Sequence, residues 1–154
     1  MPFLLDESLG FVVNQTALKL RTEMFRRLRP FGLTPEQWSV LDRLAEEDGI
    51  SQRELAARTF KDQPTTARLL DKLMALGLVR RDDSTSDRRA FAIVITDSGR
   101  ELRERIVPVA QAMNDDAGRG LSDEDRRQLF RMLNHLQKNM GRVTPKRSNH
   151  GNQG

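Results

Sequence analysis

Hydrophobic residues change their spacing along this chain, and each change predicts a different element. From Glu7 to Arg29 they fall on a helical stripe that includes Leu9, Val12, Val13, Leu20 and Leu28. That stripe predicts one long amphipathic helix, ended by Pro30. From Arg89 to Thr96 the spacing tightens to alternation. Phe91, Ile93 and Ile95 share one parity, and Ala90, Ala92 and Val94 share the other. A period of two, rich in β-branched side chains, predicts a half-buried strand. From Asp123 to about Met140 the helical stripe returns through Leu129, Phe130, Met132, Leu133, Leu136 and Met140.

Between these stretches, end chemistry marks three shorter helices. Thr34 is a good N-cap, Pro35 suits the first helical position, and Gln37 can reach back to close a capping box. Leu33 and Trp38 stand where a hydrophobic staple would form. The same design recurs at Ser51, with Glu54 to close the box and Ile50 stapled onto Leu55. Asp62 can cap the third helix and Gly77 can stop it in the left-handed conformation. Leu78 to Arg81 reads as a short strand, and Asp82 to Arg88 as a polar turn. The two strands then form a hairpin with the tip Ser84-Thr85-Ser86-Asp87-Arg88-Arg89. Asp97-Ser98-Gly99 starts a second long helix that reaches about Ala117, with a kink expected at Pro108. Gly118-Arg119-Gly120 breaks it, and Ser122 caps the last helix. From Gly141 onward the chain is polar and is expected to be disordered.

The order is capped helix, capped helix, Thr-rich helix, basic hairpin. A turn of roughly four residues between the second and third of these makes a helix-turn-helix, and the hairpin is its wing. The expected fold is mostly α with a small β wing. Residues 1–32 form an N-terminal dimerisation helix and 33–97 a winged helix-turn-helix core. Residues 98–141 form C-terminal dimerisation helices, and 142–154 a disordered tail. Dimerisation is inferred because the outer helices are too apolar on one stripe for the small core to cover. A purely intramolecular bundle is the alternative.

Composition narrows the function. The chain has 154 residues, with 26 Lys and Arg against 22 Asp and Glu, a net charge of +4. That permits nucleic-acid binding without proving it. There is no Cys, so disulfides, thiolate metal sites and thiol redox sensing are excluded. The only histidines are His135 and His150, one in the last helix and one in the tail. No metal site and no cofactor are expected. An enzyme would need a nucleophile, a base and a pocket. With no Cys or Tyr, and carboxylates scattered over solvated faces, no enzyme is expected. No apolar run approaches a membrane span and no signal pattern opens the chain, so a cytoplasmic protein without membrane attachment is expected.

Chemistry assigns the DNA-facing residues. Gln63, Thr65 and Thr66 occupy the first turn of the third helix, the part of a recognition helix that meets base edges. Gln can bridge adenine, Thr can touch a thymine methyl, and Arg68 can fork onto guanine or a phosphate. An internal pair with an acid is the alternative for Arg68. Ser51 and Gln52 stand at a helix start that suits a phosphate. Lys61 is either a phosphate contact or a solvated loop lysine. Aromatic residues make up 5% of the chain, and neither the wing tip nor the third helix carries one. RNA binders present stacking aromatics, so double-stranded DNA is the expected partner. A protein-interaction or RNA-binding winged helix without an effector is the alternative.

The chain resembles the MarR family of bacterial transcriptional regulators from Leu9 to Met140. The motifs that carry the resemblance begin with Leu28-Arg29-Pro30-Phe31-Gly32-Leu33-Thr34-Pro35-Glu36-Gln37-Trp38 and Gln63-Pro64-Thr65-Thr66-Ala67-Arg68. They continue with Gly77-Leu78-Val79-Arg80-Arg81 and with Ser86-Asp87-Arg88-Arg89 running to Val94-Ile95-Thr96. The Gln-Pro pair and the Trp are similar to the SlyA branch. The resemblance implies a homodimeric regulator, taken to be a repressor on a palindromic operator. It adds Pro64 to the DNA-facing set, places Arg89 in the minor groove with Asp87 holding it, and makes Arg88 a backbone contact. It also implies a small aromatic or phenolic effector where the dimer base meets the DNA-binding lobe. Phe11, Gln15, Leu18, Trp38 and Leu41 would line that site, and Arg21 would meet a carboxylate. Trp38 is equally readable as plain core.

Overall fold

Ser8 is extended, so the first helical stripe splits at its start into a 3-10 turn, Leu5–Glu7, and helix α1, Leu9–Leu28. The predicted helix began two residues too early for that reason. Pro30 sits inside a second 3-10 turn, Arg29–Phe31, which closes on Gly32 at φ 71°. The computed structural model describes residues 1–59, 61–82 and 91–141. The expected disordered tail, 142–154, and the wing tip lie outside the described residues. The chain divides into one compact unit, Met1–Ala117, and a second that begins at Gly118.

In the first unit, helix α2 spans Pro35–Glu46 and carries the complete predicted capping box. The Gln37 amide donates to the Thr34 hydroxyl at 3.3 Å, and the Thr34 amide donates to the Gln37 side chain at 3.0 Å. Strand β1, Ile50–Ser51, comes next. Two residues are too few to show a period, so the apolar pattern did not reveal it. Helix α3, Gln52–Arg58, starts where the Ser51 hydroxyl accepts from the Glu54 amide at 3.1 Å. Helix α4, Gln63–Ala75, starts where the Asp62 carboxylate accepts from the Thr65 amide at 2.7 Å. It stops at Gly77, whose φ is 72°.

Strands β2, Val79–Asp82, and β3, Ala92–Ile95, complete an antiparallel sheet in the order β1-β3-β2. Val79 faces Ile95 across the β2–β3 pair, and Ile50 faces Ile93 across the other. β3 is therefore the central strand. Ala92, Ile93 and Ile95 are all buried, while Phe91 is exposed. The expected half-buried strand, with Phe91, Ile93 and Ile95 on one parity, is corrected accordingly: burial takes in Ala92 of the other parity and leaves Phe91 out. Ala90, predicted to start its other face, lies outside the described residues.

Helix α5, Asp97–Ala117, leaves the sheet after a single residue and runs through Pro108 as one helix. That residue, Thr96, caps it. The Thr96 hydroxyl accepts from the Gly99 amide at 3.1 Å and donates to the Gly77 carbonyl at 2.7 Å. A Cβ on Gly99 would stand 2.2 Å from the Leu78 carbonyl oxygen. Only glycine permits α5 to start so close to the end of α4. Leu28, Val40, Leu41, Leu44, Leu55, Leu70, Leu73, Ile93 and Ile106 form one fully buried cluster. Each large side chain there contributes about 1.5–3 kcal/mol of burial free energy. The cluster draws on α1 to α5 and on the sheet, so the helix-turn-helix shares its core with the long helices.

The second unit opens with a turn. The Leu121 amide donates to the Gly118 carbonyl at 3.0 Å, and Gly120 has φ 87°. Helix α6, Asp123–Gly141, starts with a reciprocal cap, in which the Ser122 hydroxyl accepts from the Asp125 amide and the Asp125 carboxylate accepts from the Ser122 amide. No side chain of α6 is buried. Phe130, Met132 and Met140 are 63%, 57% and 67% exposed.

Candidate nucleic-acid interface

The start of α4 is built around Asp62. Its carboxylate takes the Thr65 amide, and the backbone N–H and then the hydroxyl of Thr65 hold it below the usual aspartate range, with the Arg68 charge adding to the pull. A carboxylate at this end also complements the helix dipole. The cap fixes which way the first turn faces. Gln63 and Pro64 are exposed, Thr65 is half-buried, and Arg68 is exposed. The Arg68 guanidinium donates to the Thr65 hydroxyl at 3.4 Å, so these two side chains stand together on the open face.

Thr66 does not share that face. It is fully buried, and its hydroxyl donates to the Asp62 carbonyl at 2.9 Å. The expected base contact from Thr66 is therefore corrected: the side chain is buried, and its polar atom is used on the carbonyl of the Asp62 cap. Ser51 and Gln52 are half-buried at the start of α3. The Ser51 hydroxyl spends its acceptor role on the cap and keeps its proton to donate. Lys61 is half-buried in the loop before α4, and its charge helps draw down the Glu36 carboxyl on α2. Asp87, Arg88 and Arg89 lie outside the described residues.

The starts of α3 and α4 and the root of the wing enclose an open concavity of about 570 Å³. Ser51, Gln52, Arg53, Gln63, Arg81, Phe91 and Ile93 line it. Sequence reasoning had placed Ser51, Gln52 and Gln63 in the DNA-facing set but missed Arg53, Arg81 and Phe91. The Arg81 guanidinium lies 6.0 Å from the Phe91 ring centroid and 3.9 Å from an Asp71 carboxylate oxygen on α4. Cation–π contact of this kind orients a guanidinium while leaving its edge free to donate. Arg81 stands opposite Ile93 across the β2–β3 pair, a register that the sequence alone does not give.

The residues expected to meet an effector separate into two groups. Phe11 and Trp38 are half-buried, and Gln15 and Leu18 are exposed. Trp38 packs against the main core cluster. Leu41 is fully buried in the core, so it lines no opening, and that expectation is corrected. Arg21 is corrected too. Its guanidinium is forked onto Glu36, with Nε to Oε1 at 2.6 Å and Nη2 to Oε2 at 3.2 Å. Burial pushes the Glu36 carboxyl up and the Arg21 hydrogen bond pulls it down, with a net lowering. The arginine expected to greet a ligand carboxylate already holds an internal one.

Among the described residues, no group of His, Cys, Asp or Glu side chains is placed to hold a metal ion. No helix of the described residues is long and apolar enough to cross a membrane.

A family model described as MarR family matches residues 31–90. An HTH-type transcriptional repressor of Mycobacterium tuberculosis is 30% identical over 131 residues, covering 85% of this chain and 94% of the relative. A probable transcriptional regulator from Pseudomonas aeruginosa has a similar structure, with a TM-score of 0.80 and 28% identity over 86% of this chain and 99% of that one. The transcriptional repressor CouR, solved bound to a 23-mer DNA duplex, has a TM-score of 0.80 and 32% identity, covering 86% of this chain and 94% of that one.

Proposed function

The chain belongs to the MarR family of DNA-binding transcriptional regulators, and from that premise we propose that it is a homodimeric repressor of a palindromic operator. Its relatives are regulators, and the chain is not an enzyme. The observation that carries the finer reading is the likeness to CouR, a repressor solved on a DNA duplex, over 86% of this chain. In this reading Gln63, Thr65 and Arg68 meet base edges, and Ser51, Gln52 and Lys61 meet phosphates. Asp87, Arg88 and Arg89 work from the wing. Two half-sites, one per subunit, lie about 10 base pairs apart or a multiple of that, as an inverted repeat.

The test is a pair of titrations, on operator and on random duplex, at one salt concentration. Thr65→Ala lowers the ratio of operator to random affinity. Lys61→Ala weakens both about equally, because a phosphate contact carries no sequence information. Equal proportional losses from both variants on both duplexes would rule out α4 as the sequence reader.

The remaining part of the reading is release by a small aromatic or phenolic effector at the junction of α1 and α2, met by Phe11, Gln15, Leu18 and Trp38. The chain has one Trp, so its fluorescence reports that junction alone. An aromatic ligand that quenches Trp38 and also weakens operator binding supports this part. Quenching without any change in operator affinity refutes it.

A further inference from the structure

Among the described residues, three ion pairs join the long helices α1 and α5 to the elements that carry the helix-turn-helix, and these three have the same polarity. Arg21 of α1 forks onto Glu36 of α2. Arg103 of α5 donates to Asp42 of α2 at 2.9 Å, with each side chain about one-third exposed, at 33% and 32%. Arg100 of α5 donates to Asp48, in the turn before β1, at 2.9 Å. The arginine stands on the long helix each time and the acid on the lobe. Asp48 has a second role. Its other carboxylate oxygen accepts from the Ile95 amide at 2.9 Å, so one side chain ties the end of β3 to the first turns of α5.

The shared apolar core already holds the lobe against the long helices. Apolar burial is non-directional, however, and says little about the angle at which the two meet. Guanidinium–carboxylate contacts are directional, and the forked ones are planar. The three contacts are spread along α2 and the sheet, so together they define a rotation and not merely an attachment. Their partial burial shields them from salt more than fully exposed pairs.

We propose that Glu36, Asp42 and Asp48 are positioning residues for DNA binding, which set the angle of the lobe on α1 and α5 and so the half-site separation that a dimer accepts. This rests on the homodimer reading above. None of the three touches DNA in this scheme. They act through the placement of α4.

The test uses the full chain and the amide variants Glu36→Gln, Asp42→Asn and Asp48→Asn, alone and as the Glu36→Gln/Asp42→Asn pair. Each keeps the shape of its side chain and removes the charge. Affinity is measured on the operator, on operators with one or two base pairs added or removed between half-sites, and on a single half-site. Sedimentation and circular dichroism accompany each variant. The expected result is a half-site affinity within about twofold of the parent, since the reading face is intact. The parent's preference for one separation should fall by about tenfold in the paired variant. The charge-keeping variant Arg103→Lys should hold the preference better than Asp42→Asn does. If the paired variant fails to fold, the single variants carry the same comparison.

A parent with a clear separation preference that every folded variant retains overturns the proposal and leaves the dimer reading standing. Equal weakening on all duplexes, the half-site included, also overturns it, because that is the signature of simple destabilisation. A parent that sediments as a monomer, or shows no separation preference, overturns the dimer reading and this proposal with it.

Discussion

Thr65 and Thr66 are neighbours in sequence with opposite duties. Thr65 stands on the open face with Arg68, and Thr66 is sealed inside and bonded to the Asp62 carbonyl. Thr66→Ala should cost about 0.5–1.5 kcal/mol of stability from the lost hydrogen bond, read as a lower urea midpoint, with the operator-to-random ratio unchanged. A lowered ratio at full stability would return Thr66 to the reading face. Gly99→Ala should be more damaging, because its Cβ would stand 2.2 Å from the Leu78 oxygen and 2.7 Å from Ile95. Overpacking at such a site costs about 1–3 kcal/mol, measurable as a fall in Tm. Neither assignment was legible in the sequence. First-turn threonines look alike until the packing of α4 on its neighbours is known, and a glycine in a helix's first turn reads as an ordinary weak helix residue. Leu41 was misplaced for the same reason: helical spacing names a face, but only tertiary contacts say whether that face is open. Arg21 stays on an open face, and what spacing could not report is its fork onto Glu36.

Helix ends were far more legible, because a cap is a local device written in consecutive residues. Thr34 with Gln37, Asp62 with Thr65 and Ser122 with Asp125 all form as hydrogen-bonded caps. Asp62→Ala should cost about 1 kcal/mol and loosen the first turn of α4, seen as faster amide exchange at Thr65. Where the sequence fell short, the missing information was non-local. β1 exists because Ile50 and Ser51 pair with β3, far along the chain. In β3 Ala92 is buried along with Ile93 and Ile95 of the other parity, which one strand's alternation cannot report. Charge along a helix is again local. The Glu23 carboxyl lies between Arg26 and Arg27 on α1, and hydrogen bonds from Arg26 first, and then Arg27, lower it from 4.5 to about 2. An acid lowered on folding stabilises fully above its unfolded value. That contribution drains away as pH falls from 4.5 toward 2. Glu23→Gln should flatten the stability profile across that acid window, to a small extent because the site is exposed. A parent and variant with superimposable profiles there would show the pair to be energetically silent.

For the whole molecule, α6 poses the plainest question, since none of its side chains is buried and Phe130 is 63% exposed. In the homodimer reading a second copy covers that stripe. Phe130→Glu should then shift sedimentation from dimer toward monomer at micromolar concentration and weaken binding to the full operator much more than to one half-site. A charged variant that remains dimeric would remove α6 from the interface. The fold class was readable because element order and caps are local signals, and the family because its motifs are contiguous. Operator sequence and effector were not readable, since both depend on complementarity to a molecule the chain does not encode.

The joint at Thr96 has a practical consequence. One residue separates the central strand from the long helix, and its hydroxyl is bonded both to Gly77, just past the end of α4, and to Gly99, in the first turn of α5. The DNA-reading lobe is therefore not a cassette. A chimaera cut between Thr96 and Asp97, or a flexible insert spliced there, severs the α5 cap and the Gly99 seat together. Exchange of reading heads between relatives should succeed only when the graft carries the first turn of α5 with it. The Gly118–Leu121 turn, with its left-handed Gly120, is the better place to add foreign sequence.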